Sequence, residues 1–556
     1  MKPLGASALV CLSLTAASVQ ARTLRLDPPR DAGGRRVAVD AFSAHPDGHS
    51  PSGLVLDFLI SPDSRYAVYG SSAAIYSRRL PDGPTVQLAR PDSCWAMSDY
   101  FLITDDSTSV LFTCWSAVKD LWSVPIAGPA SAAVPVSTTP DAPYQVSDFF
   151  SSTSASRIFY TMPRVEPFRV ELYSVPAAGP ASASVAISSL LAEGDQVRSP
   201  FSLQLTPEVI YSVHRPWPEG GDIWRTGVAS ANPVRIGDSP ASHPSAGGFV
   251  VSSDEQRVVW AAQNEFEDYA LFSAPVSDPP GVAERLSADV PFSSVSGYIV
   301  ISPDSSRVVF DSDQEGQQFD LFSVPIDGPS AAAVNLSGFE PAWYPYLHSI
   351  RFSPDSAWVL YLGNREVHSR QDLFVVPAAG PASARVRINP VDSSTEGVSS
   401  YEEIPGTAEV VFPLASSTPE GAFRCYRGSW LGGTGNATPL WTEPLLYEGM
   451  GCHWLPEGRG VLTATRNPFT ESAVLWLAHG DGPLDLAPKR LLDSTLFEPN
   501  EDPFRYGDLR ATPDGRFVVY LGTPVGGELG LWVLPLPFFW DGFESGGTGH
   551  WSTIQN

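Results

Sequence analysis

Aromatic residues flanked by carboxylates, arginines and histidines occur in several connections between the apolar stretches of this 556-residue chain. Exposed rings offer a flat apolar contact surface, and neighbouring charged groups supply directional hydrogen bonds, so such loops suit a sugar chain or a protein loop. The alternative is that the rings pack the loops onto the protein itself. The candidate ligand-binding residues are Trp217, Glu219, Phe266, Trp343, Tyr344, Tyr346, His348, Arg365, His368 and Phe497.

A short acidic run begins at Asp311 and continues through Asp313, Glu315 and Gly316. Oxygen ligands at alternating positions, followed by a glycine at the bend, are typical of the start of a calcium-binding loop. The twelfth position of such a loop would be Phe322, where a bidentate glutamate is needed. A plain β-turn is therefore the favoured interpretation, calcium is the weaker alternative, and no other cofactor is expected.

Motifs that would mark a catalytic centre are absent from the sequence. It has no G-x-S-x-G elbow, H-E-x-x-H helix, P-loop or C-x-x-C-H haem site. The 9 histidines are scattered, and 61 carboxylates are too many to select a glycosidase pair without geometry. We predict no catalytic residues. The alternative, a lyase or glycosidase acting on polysaccharide, requires His, Asp, Glu and Arg side chains that converge at the centre of the fold.

Four of the five cysteines lie beyond residue 21 and form two close pairs, Cys94 with Cys114 and Cys425 with Cys452. In an oxidising compartment such pairs form disulfides, and this pairing is the natural one among three connectivities. Neither pair has C-x-x-C spacing, which disfavours a zinc or redox role.

A repeat of about 50 residues must position all of these groups. Its clearest copy runs from Tyr298 to Ser337, and in most copies an aromatic residue ends a β-branched run shortly after a turn. The turns recur at Pro62, Asp105, Thr153, Pro207, Ser253, Pro303, Pro354, Pro405, Pro456 and Pro513. Each copy predicts four strands, with a Ser-Pro-Asp-Ser type turn after the first and a Gly-Pro turn after the third.

The repeat resembles the WD-like repeats of TolB-type propellers. Ser302-Pro303-Asp304-Ser305 is similar to their first turn, and the segment from Ser312 to Gly316 is similar to their second. The resemblance covers residues 52–536 and implies a β-propeller. That family includes accessory proteins of the cell envelope and the propeller domains of prolyl-oligopeptidase-like enzymes, so the resemblance does not choose a function. No peptidase-sized region follows the last repeat.

An all-β propeller of about ten four-stranded blades is the predicted fold, since one such sheet cannot bury both of its faces but a stack can. We favour a single large ring over two smaller rings. The last unit lacks a fourth strand near residues 530–535, and we expect residues 36–42 to supply it and close the ring. Short turns then share one face, the regular face, and the long variable loops share the other, the irregular face, where recognition is expected.

The ends of the chain indicate export. Residues 1–21 have the Lys2, apolar-run and small-residue pattern of a signal peptide. An N-terminal segment at 22–51, the repeats at 52–536 and a tail at 537–556 follow. The tail resembles a DGFESG-type segment found at the ends of other exported bacterial proteins, where it suggests sorting, surface retention or a structural cover. We expect a periplasmic, cell-surface or secreted monomer.

The net charge and the hydropathy of the chain exclude some classes of partner. The net charge of −26 repels nucleic acid, and no later apolar run is long enough to span a membrane. The favoured function is a non-enzymatic scaffold that binds a protein or polysaccharide of the cell envelope through the irregular face. The polysaccharide-acting enzyme and a calcium-bridged adhesive or matrix component are the alternatives.

Overall fold

The chain forms a series of four-stranded antiparallel sheets, which the computed structural model describes at residues 24–26 and over most of 57–535. Outside the description lie residues 1–23, 27–56, 71–73, 81–82, 90–95, 116–118, 138–145, 153–155, 166–167, 189–190, 216–220, 237–242, 264–267, 278–280, 292, 317–318, 339–346, 365–369, 391–395, 417–422, 442–447, 450, 456–459, 467–472, 479–488, 491–508, 523–529 and 536–556. Among the described residues, no helix is long and apolar enough to cross a membrane.

Strands of ten repeat units, here called units 1 to 10, are present in the described residues. Units 1 to 3 contain Asp57–Ile60, Tyr66–Gly70, Ile75–Arg79, Thr85–Ala89; Ala96–Ile103, Ser109–Trp115, Lys119–Pro125, Val134–Pro135; and Asp148–Ser152, Arg157–Val165, Phe168–Pro176, Val185–Ala186. Units 4 to 6 contain Gln196–Ser202, Glu208–His214, Gly221–Gly227, Val234–Ile236; His243–Val251, Arg257–Gln263, Tyr269–Pro275, Glu284–Arg285; and Val295–Ile301, Arg307–Ser312, Asp320–Pro325, Val334–Asn335.

The later units follow the same order, with an interrupted first strand in units 8 and 9. Units 7 and 8 contain His348–Phe352, Trp358–Gly363, Asp372–Pro377, Val386–Arg387; and Glu396–Val398 with Glu402–Glu403, Glu409–Ser416, Phe423–Ser429, Thr438–Pro439. Units 9 and 10 contain Glu448–Gly449 with His453–Leu455, Gly460–Arg466, Ala473–Ala478, Lys489–Arg490; and Leu509–Ala511, Phe517–Gly522, Gly530–Pro535. Short 3-10 turns at Ala130–Ala132, Ala181–Ala183, Ser330–Ala332 and Ala382–Ala384 precede four of the fourth strands.

The Ser-Pro-Asp-Ser segment folds as the predicted turn because its side chains satisfy its own backbone. In unit 6 the Ser302 hydroxyl donates to Asp304 Oδ1 at 2.6 Å and accepts the Arg307 amide at 2.9 Å. Asp304 Oδ1 also accepts the Ser306 amide at 3.1 Å. The fourth residue, Ser305, has a φ of 61°, a left-handed conformation that glycine usually takes.

Serine at this strained position links neighbouring units. The Asp304 amide of unit 6 donates to the Ser356 hydroxyl of unit 7 at 3.0 Å, and the Asp63 amide donates to Ser107 at 3.1 Å. Glycine would relieve the φ strain but has no hydroxyl to accept this bond. A serine at this position therefore supplies a contact between neighbouring turns that glycine could not.

Apolar clusters fill the space between successive sheets. The predicted aromatic of the second strand is buried wherever its side chain is described, as at Tyr160 and Phe310, and in several units, including these two, it stacks on an aromatic of the third strand. The ring centroids of Phe310 and Phe322 lie 5.8 Å apart. Their cluster includes Val259 and Leu271 of unit 5, so each sheet buries one face against its neighbour.

Unit 10 contacts unit 1. The Asp514 amide donates to the Ser64 hydroxyl at 3.0 Å, the same turn-to-turn bond that joins sequential units. Phe517 and Val519 pack in one cluster with Phe58 of unit 1. First strands of neighbouring units also contact each other at several junctions. We call the sheet edge that they form the inner edge.

The fourth strand of unit 10 comes from the N-terminal segment, but from different residues than the sequence indicates. Leu24–Leu26 pairs antiparallel with Gly530–Pro535, with Arg25 opposite Trp532. The expected strand, residues 36–42, lies outside the described residues. Fourth strands elsewhere are as short as two residues, as in Val134–Pro135, so a three-residue Leu-Arg-Leu segment is long enough.

Candidate functional site

Most of the predicted ligand-binding residues lie outside the described part of the chain. These are Trp217, Glu219, Phe266, Trp343, Tyr344, Tyr346, Arg365, His368 and Phe497. His348 is described: it opens the first strand of unit 7, is half-buried, and its Nδ1 lies 3.0 Å from Ser349 Oγ. The assignment of these loops to a ligand stays a prediction.

A pocket of about 280 Å³ with a mixed polar and apolar lining opens between units 3 and 4. Its lining includes the exposed side chains of Ser147, Asp148, Arg198 and Ser199 and the half-buried Gln196. These residues lie at the start of the two first strands, which is the end that faces the irregular loops. A carboxylate, a guanidinium and neutral hydrogen-bonding groups therefore lie together in one concave site.

Two local features of the backbone create this pocket. Val170 on the third strand of unit 3 pairs in parallel with Gln196 on the first strand of unit 4, which joins the two units into one sheet. The register then shifts between Arg198 and Phe201, where Ser199 has a φ of 48°. The Ser212 hydroxyl holds the bulge by donating to the Arg198 carbonyl at 3.0 Å. The bulge turns Arg198 into the pocket lining.

A buried carboxylate stands beside the pocket in unit 3. Glu171 accepts hydrogen bonds from Arg169 at 2.6 Å and from the Tyr173 hydroxyl at 2.5 Å, and Arg164 lies 2.9 Å from its other oxygen. Burial, together with the Glu171 hydrogen bond, raises the pKa of Tyr173 to about 12. The phenol therefore stays protonated and donates to the carboxylate throughout the physiological pH range.

Unit 4 repeats the arrangement with Asp222. This buried carboxylate pairs with Arg215 and, at 2.5 Å, with Arg235 on the fourth strand. Arg215 also lies 3.9 Å from the buried Asp195, one residue before the pocket residue Gln196. Paired buried charges resist rearrangement, because breaking one leaves the other uncompensated. These ion pairs therefore stabilise the strands next to the pocket.

Sequence reasoning missed these buried acids, although a signal exists. In the third strand of five units, an acidic residue is followed by leucine or isoleucine and then by an aromatic residue. These acidic residues are Asp120, Glu171, Asp222, Asp320 and Asp372. In unit 7, Asp372 is fully buried and accepts from Arg370 at 3.0 Å and Asn389 at 2.8 Å. The recurrence marks the irregular end of the third strand as a site of charge pairing.

A second set of residues occupies equivalent positions on the first strands. In each unit, this residue pairs with the second-strand residue that comes just before the aromatic position. We call this set the inner row. From unit 1 to unit 10 it consists of Leu59, Leu102, Phe150, Phe201, Val250, Val300, Arg351, Glu402, His453 and Arg510. The row is apolar in six consecutive units and polar in the next four.

Two units are bridged through the polar part of the inner row. His453 Nδ1 lies 2.7 Å from Glu402 Oε1, and the Trp454 amide donates to Glu402 Oε2 at 2.9 Å. The Arg351 guanidinium lies 5.6 Å from the ring centroid of Tyr401. Burial raises the pKa of the adjacent Glu403, which Arg351 partly offsets. An Arg, a Glu and a His thus stand on three successive first strands, which is part of what the enzyme hypothesis requires.

The acidic run of unit 6 forms a turn whose carboxylates have protein partners. Asp311 accepts from the Ser296 hydroxyl at 2.5 Å, Asp313 from the Ser294 amide at 2.6 Å, and Glu315 from Asn335 at 2.8 Å. No group of three metal-ligating side chains occurs among the residues that the structure describes. The three acids diverge, so the favoured β-turn interpretation fits them and a calcium site stays a prediction.

Cys425 and Cys452 form a disulfide, as expected, with Cα atoms 5.9 Å apart. It joins the third strand of unit 8 to unit 9. Cys114 is disulfide-bonded as well, and its expected partner Cys94 lies outside the described residues.

Solved structures resemble this chain at low sequence identity and with TM-scores below 0.5. No protein-family model and no curated protein sequence matches it. Among solved structures, a eukaryotic initiation factor is 12% identical, with a TM-score of 0.44 over 72% of this chain and 90% of its own. TolB from Agrobacterium tumefaciens is 18% identical, with a TM-score of 0.27 over 45% and 83%. Dipeptidyl peptidase 4 from Porphyromonas gingivalis is 9% identical, with a TM-score of 0.45 over 86% and 66%. The all-β fold described above rests on the strand pairing of this chain itself.

Proposed function

We propose that this protein is an exported β-propeller scaffold that binds a protein or polysaccharide partner of the cell envelope through its irregular face. The observation that carries the proposal is the pocket between units 3 and 4. It lies on strands rather than on loops, and it presents Asp148, Arg198, Gln196 and two serines to a ligand. A few polar groups fixed on a rigid scaffold are typical of a specific binding site.

Buried carboxylate–arginine pairs next to this pocket favour selective binding of a polar ligand. Glu171 and Asp222 are each paired with two arginines, so the strands next to the pocket are held in place before any ligand binds. Preorganisation lowers the entropy cost of binding. The pocket also offers one exposed carboxylate and one exposed guanidinium, which suits hydroxyl, amide or paired charged groups on the partner.

We further propose that the ten units close into one ring. The Asp514 to Ser64 hydrogen bond and the shared cluster of Phe517 with Phe58 support closure between the last unit and the first. Electron-microscopy class averages viewed along the ring axis test this arrangement. Ten blades in one ring are expected, and two smaller rings would contradict it.

The pocket is tested by affinity capture from the native envelope with a tagged mature chain that begins after residue 21. The variant Asp148→Ala/Arg198→Ala is expected to lose the captured partner, because it removes both exposed charges of the pocket. The matched control is Leu205→Ala, which changes a side chain 69% exposed in the regular-face turn of unit 4. Equal capture by all three proteins would refute the assignment of the pocket.

Export is tested separately. N-terminal sequencing of the protein recovered from the producing cells is expected to begin at Arg22, and recovery of an uncleaved chain in the cytoplasmic fraction would contradict export.

A further inference from the structure

We propose that the polar inner-row residues of units 7 to 9, together with Tyr298 on the first strand of unit 6, form a second binding site that takes a neutral, hydroxyl-rich saccharide. The site lies on the inner edge of units 6 to 9 and is distinct from the pocket between units 3 and 4. Its three polar inner-row residues, Arg351, Glu402 and His453, occupy the same register on successive first strands.

Charge balance selects the ligand class. Arg351 is exposed and cationic, Glu402 is anionic, and His453 lies against Glu402, so donors and acceptors alternate with little net charge. A polyanionic ligand would meet the Glu402 carboxylate and a chain whose net charge is −26. A polycationic ligand would meet Arg351. Neutral hydroxyl groups both donate and accept, and therefore satisfy all three side chains.

Tyr298 supplies the apolar contact that a sugar ring needs. It lies on the first strand of unit 6 and remains 52% exposed. The register of this strand shifts between Val295 and Ile299, so Tyr298 belongs to a bulge that redirects side chains. The bulge is held from below, because the buried Asp311 carboxylate accepts the Ser296 hydroxyl at 2.5 Å. A rigid exposed ring beside hydrogen-bonding groups is a platform for stacking.

The polar groups are also held in place from outside the site. The Tyr401 hydroxyl donates to the Leu360 carbonyl at 3.1 Å and to the Ser349 carbonyl at 2.5 Å, which fixes the ring beneath Arg351. Glu402 is fixed by the Trp454 amide. First strands of units 6 and 7 contact each other, as do those of units 8 and 9. Units 7 and 8 are linked by Tyr401, which contacts Arg351 and the Ser349 carbonyl, so these groups form a continuous stretch of the inner edge.

The apolar part of the inner row provides an internal comparison. Phe201 occupies the inner row in unit 4 and is 45% exposed, nearly as much as Tyr298. Its neighbours in the row, Phe150 and Val250, offer no hydrogen bonds. A ligand recognised only by exposed rings would bind both parts of the row, whereas a saccharide recognised through hydroxyls requires the polar part.

Titration calorimetry of the mature chain with maltohexaose, cellohexaose, a galacturonic acid hexamer and an unstructured peptide of similar length tests the proposal. At least one neutral hexasaccharide is expected to bind with a Kd below about 1 mM. Tyr298→Ala is expected to weaken binding about tenfold, Tyr298→Phe less than about twofold, and Phe201→Ala less than about twofold. Glu402→Gln is expected to weaken binding about fivefold with an unchanged circular dichroism spectrum.

Three outcomes would overturn the proposal. They are no binding of either neutral hexasaccharide at about 5 mM, tighter binding of the acidic hexamer or the peptide, and equal losses for Phe201→Ala and Tyr298→Ala. The pocket variant Asp148→Ala/Arg198→Ala is expected to bind the hexasaccharide normally. Failure of this site and failure of the proposed function are therefore distinguishable.

Discussion

The described contacts between units 6 and 7 are mainly apolar, whereas those between units 8 and 9 include a covalent bond and polar side-chain contacts. Between units 6 and 7, Leu321 and Leu336 pack against Tyr361 and Phe374 in a large buried cluster. Among the described residues, the buried cluster between units 8 and 9 contains the disulfide-bonded Cys425 and Cys452. The Glu402–His453 pair and Arg427 over the Trp454 ring complete that junction.

This contrast shows that one repeat can hold its neighbours in two physically different ways. Apolar burial stabilises a junction in proportion to the area removed from water. A disulfide across a junction stabilises it by restricting the unfolded chain. Units 8 and 9 also carry two of the polar inner-row residues. Their junction thus combines a covalent bond with polar groups that stay partly exposed at the inner edge.

The largest expected loss comes from the apolar junction. Phe374 is buried and its ring lies 5.5 Å from that of Tyr361. Replacing it by alanine leaves a cavity and should lower the free energy of unfolding by about 4 kcal/mol. Urea denaturation measures the change. Phe168→Ala, at a ring 41% exposed, is the matched control and should cost less than about 1 kcal/mol. Similar losses for the two variants would contradict the assignment of this junction.

Removal of the disulfide should have the next largest effect. The bond closes a loop with a sequence separation of 27, and Cys425→Ala/Cys452→Ala should cost about 3 kcal/mol. Limited proteolysis should then cut first in units 8 and 9, because the variant has lost the covalent bond between them. If cleavage began in units 6 or 7 instead, the contrast between the two junctions would be wrong.

The repeat, its turns and the buried aromatic of each second strand could be predicted from the sequence because they depend on local patterns. Pro303 and Asp304 mark a turn, and Phe310 marks a buried strand, whatever surrounds them. The bond from Asp304 to Ser356 could not be predicted, because it joins residues 52 positions apart. The sequence did carry a sign of it, since serine stands at a position of positive φ where glycine is easier.

The candidate sites were less predictable for the same reason. Segments such as the one around Trp343 were predicted to bind a ligand because they are rich in aromatic and charged residues. Glu402 and His453 look ordinary in the sequence, and only the strand register places them on equivalent positions in adjacent units. The pocket at Arg198 depends on a bulge and on one parallel pairing. Register of this kind is set by tertiary pairing rather than by local sequence.

The ion pair between units 8 and 9 should contribute less than the disulfide. The side chains of Glu402 and His453 are 38% and 48% exposed, and exposed pairs contribute about 0.5 kcal/mol. Glu402→Gln should therefore lower the free energy of unfolding only slightly, and less in 1 M than in 0.05 M salt. A double-mutant cycle with His453→Gln measures the coupling. A coupling above about 2 kcal/mol would show that the pair, and not the disulfide, dominates this junction.

The smallest expected effect is on the pH dependence of stability, and it arises from Asp355 in the turn of unit 7. Hydrogen bonds from the Ser353 hydroxyl and the Ala357 amide hold the pKa of Asp355 below its usual value. A lowered pKa in the folded state means that the contribution of Asp355 to stability is present above pH 4 and is lost as pH falls through the folded value. The urea midpoint of the Asp355→Asn variant should consequently fall less than that of the wild type between pH 5 and pH 3.

Burial raises the pKa of Asp311, so the contribution of Asp311 to stability has the opposite sign and is lost as pH rises. The variant Asp311→Asn should therefore fall more steeply than the wild type over the same acid range, and parallel profiles for all three proteins would show that neither carboxyl is perturbed by the fold.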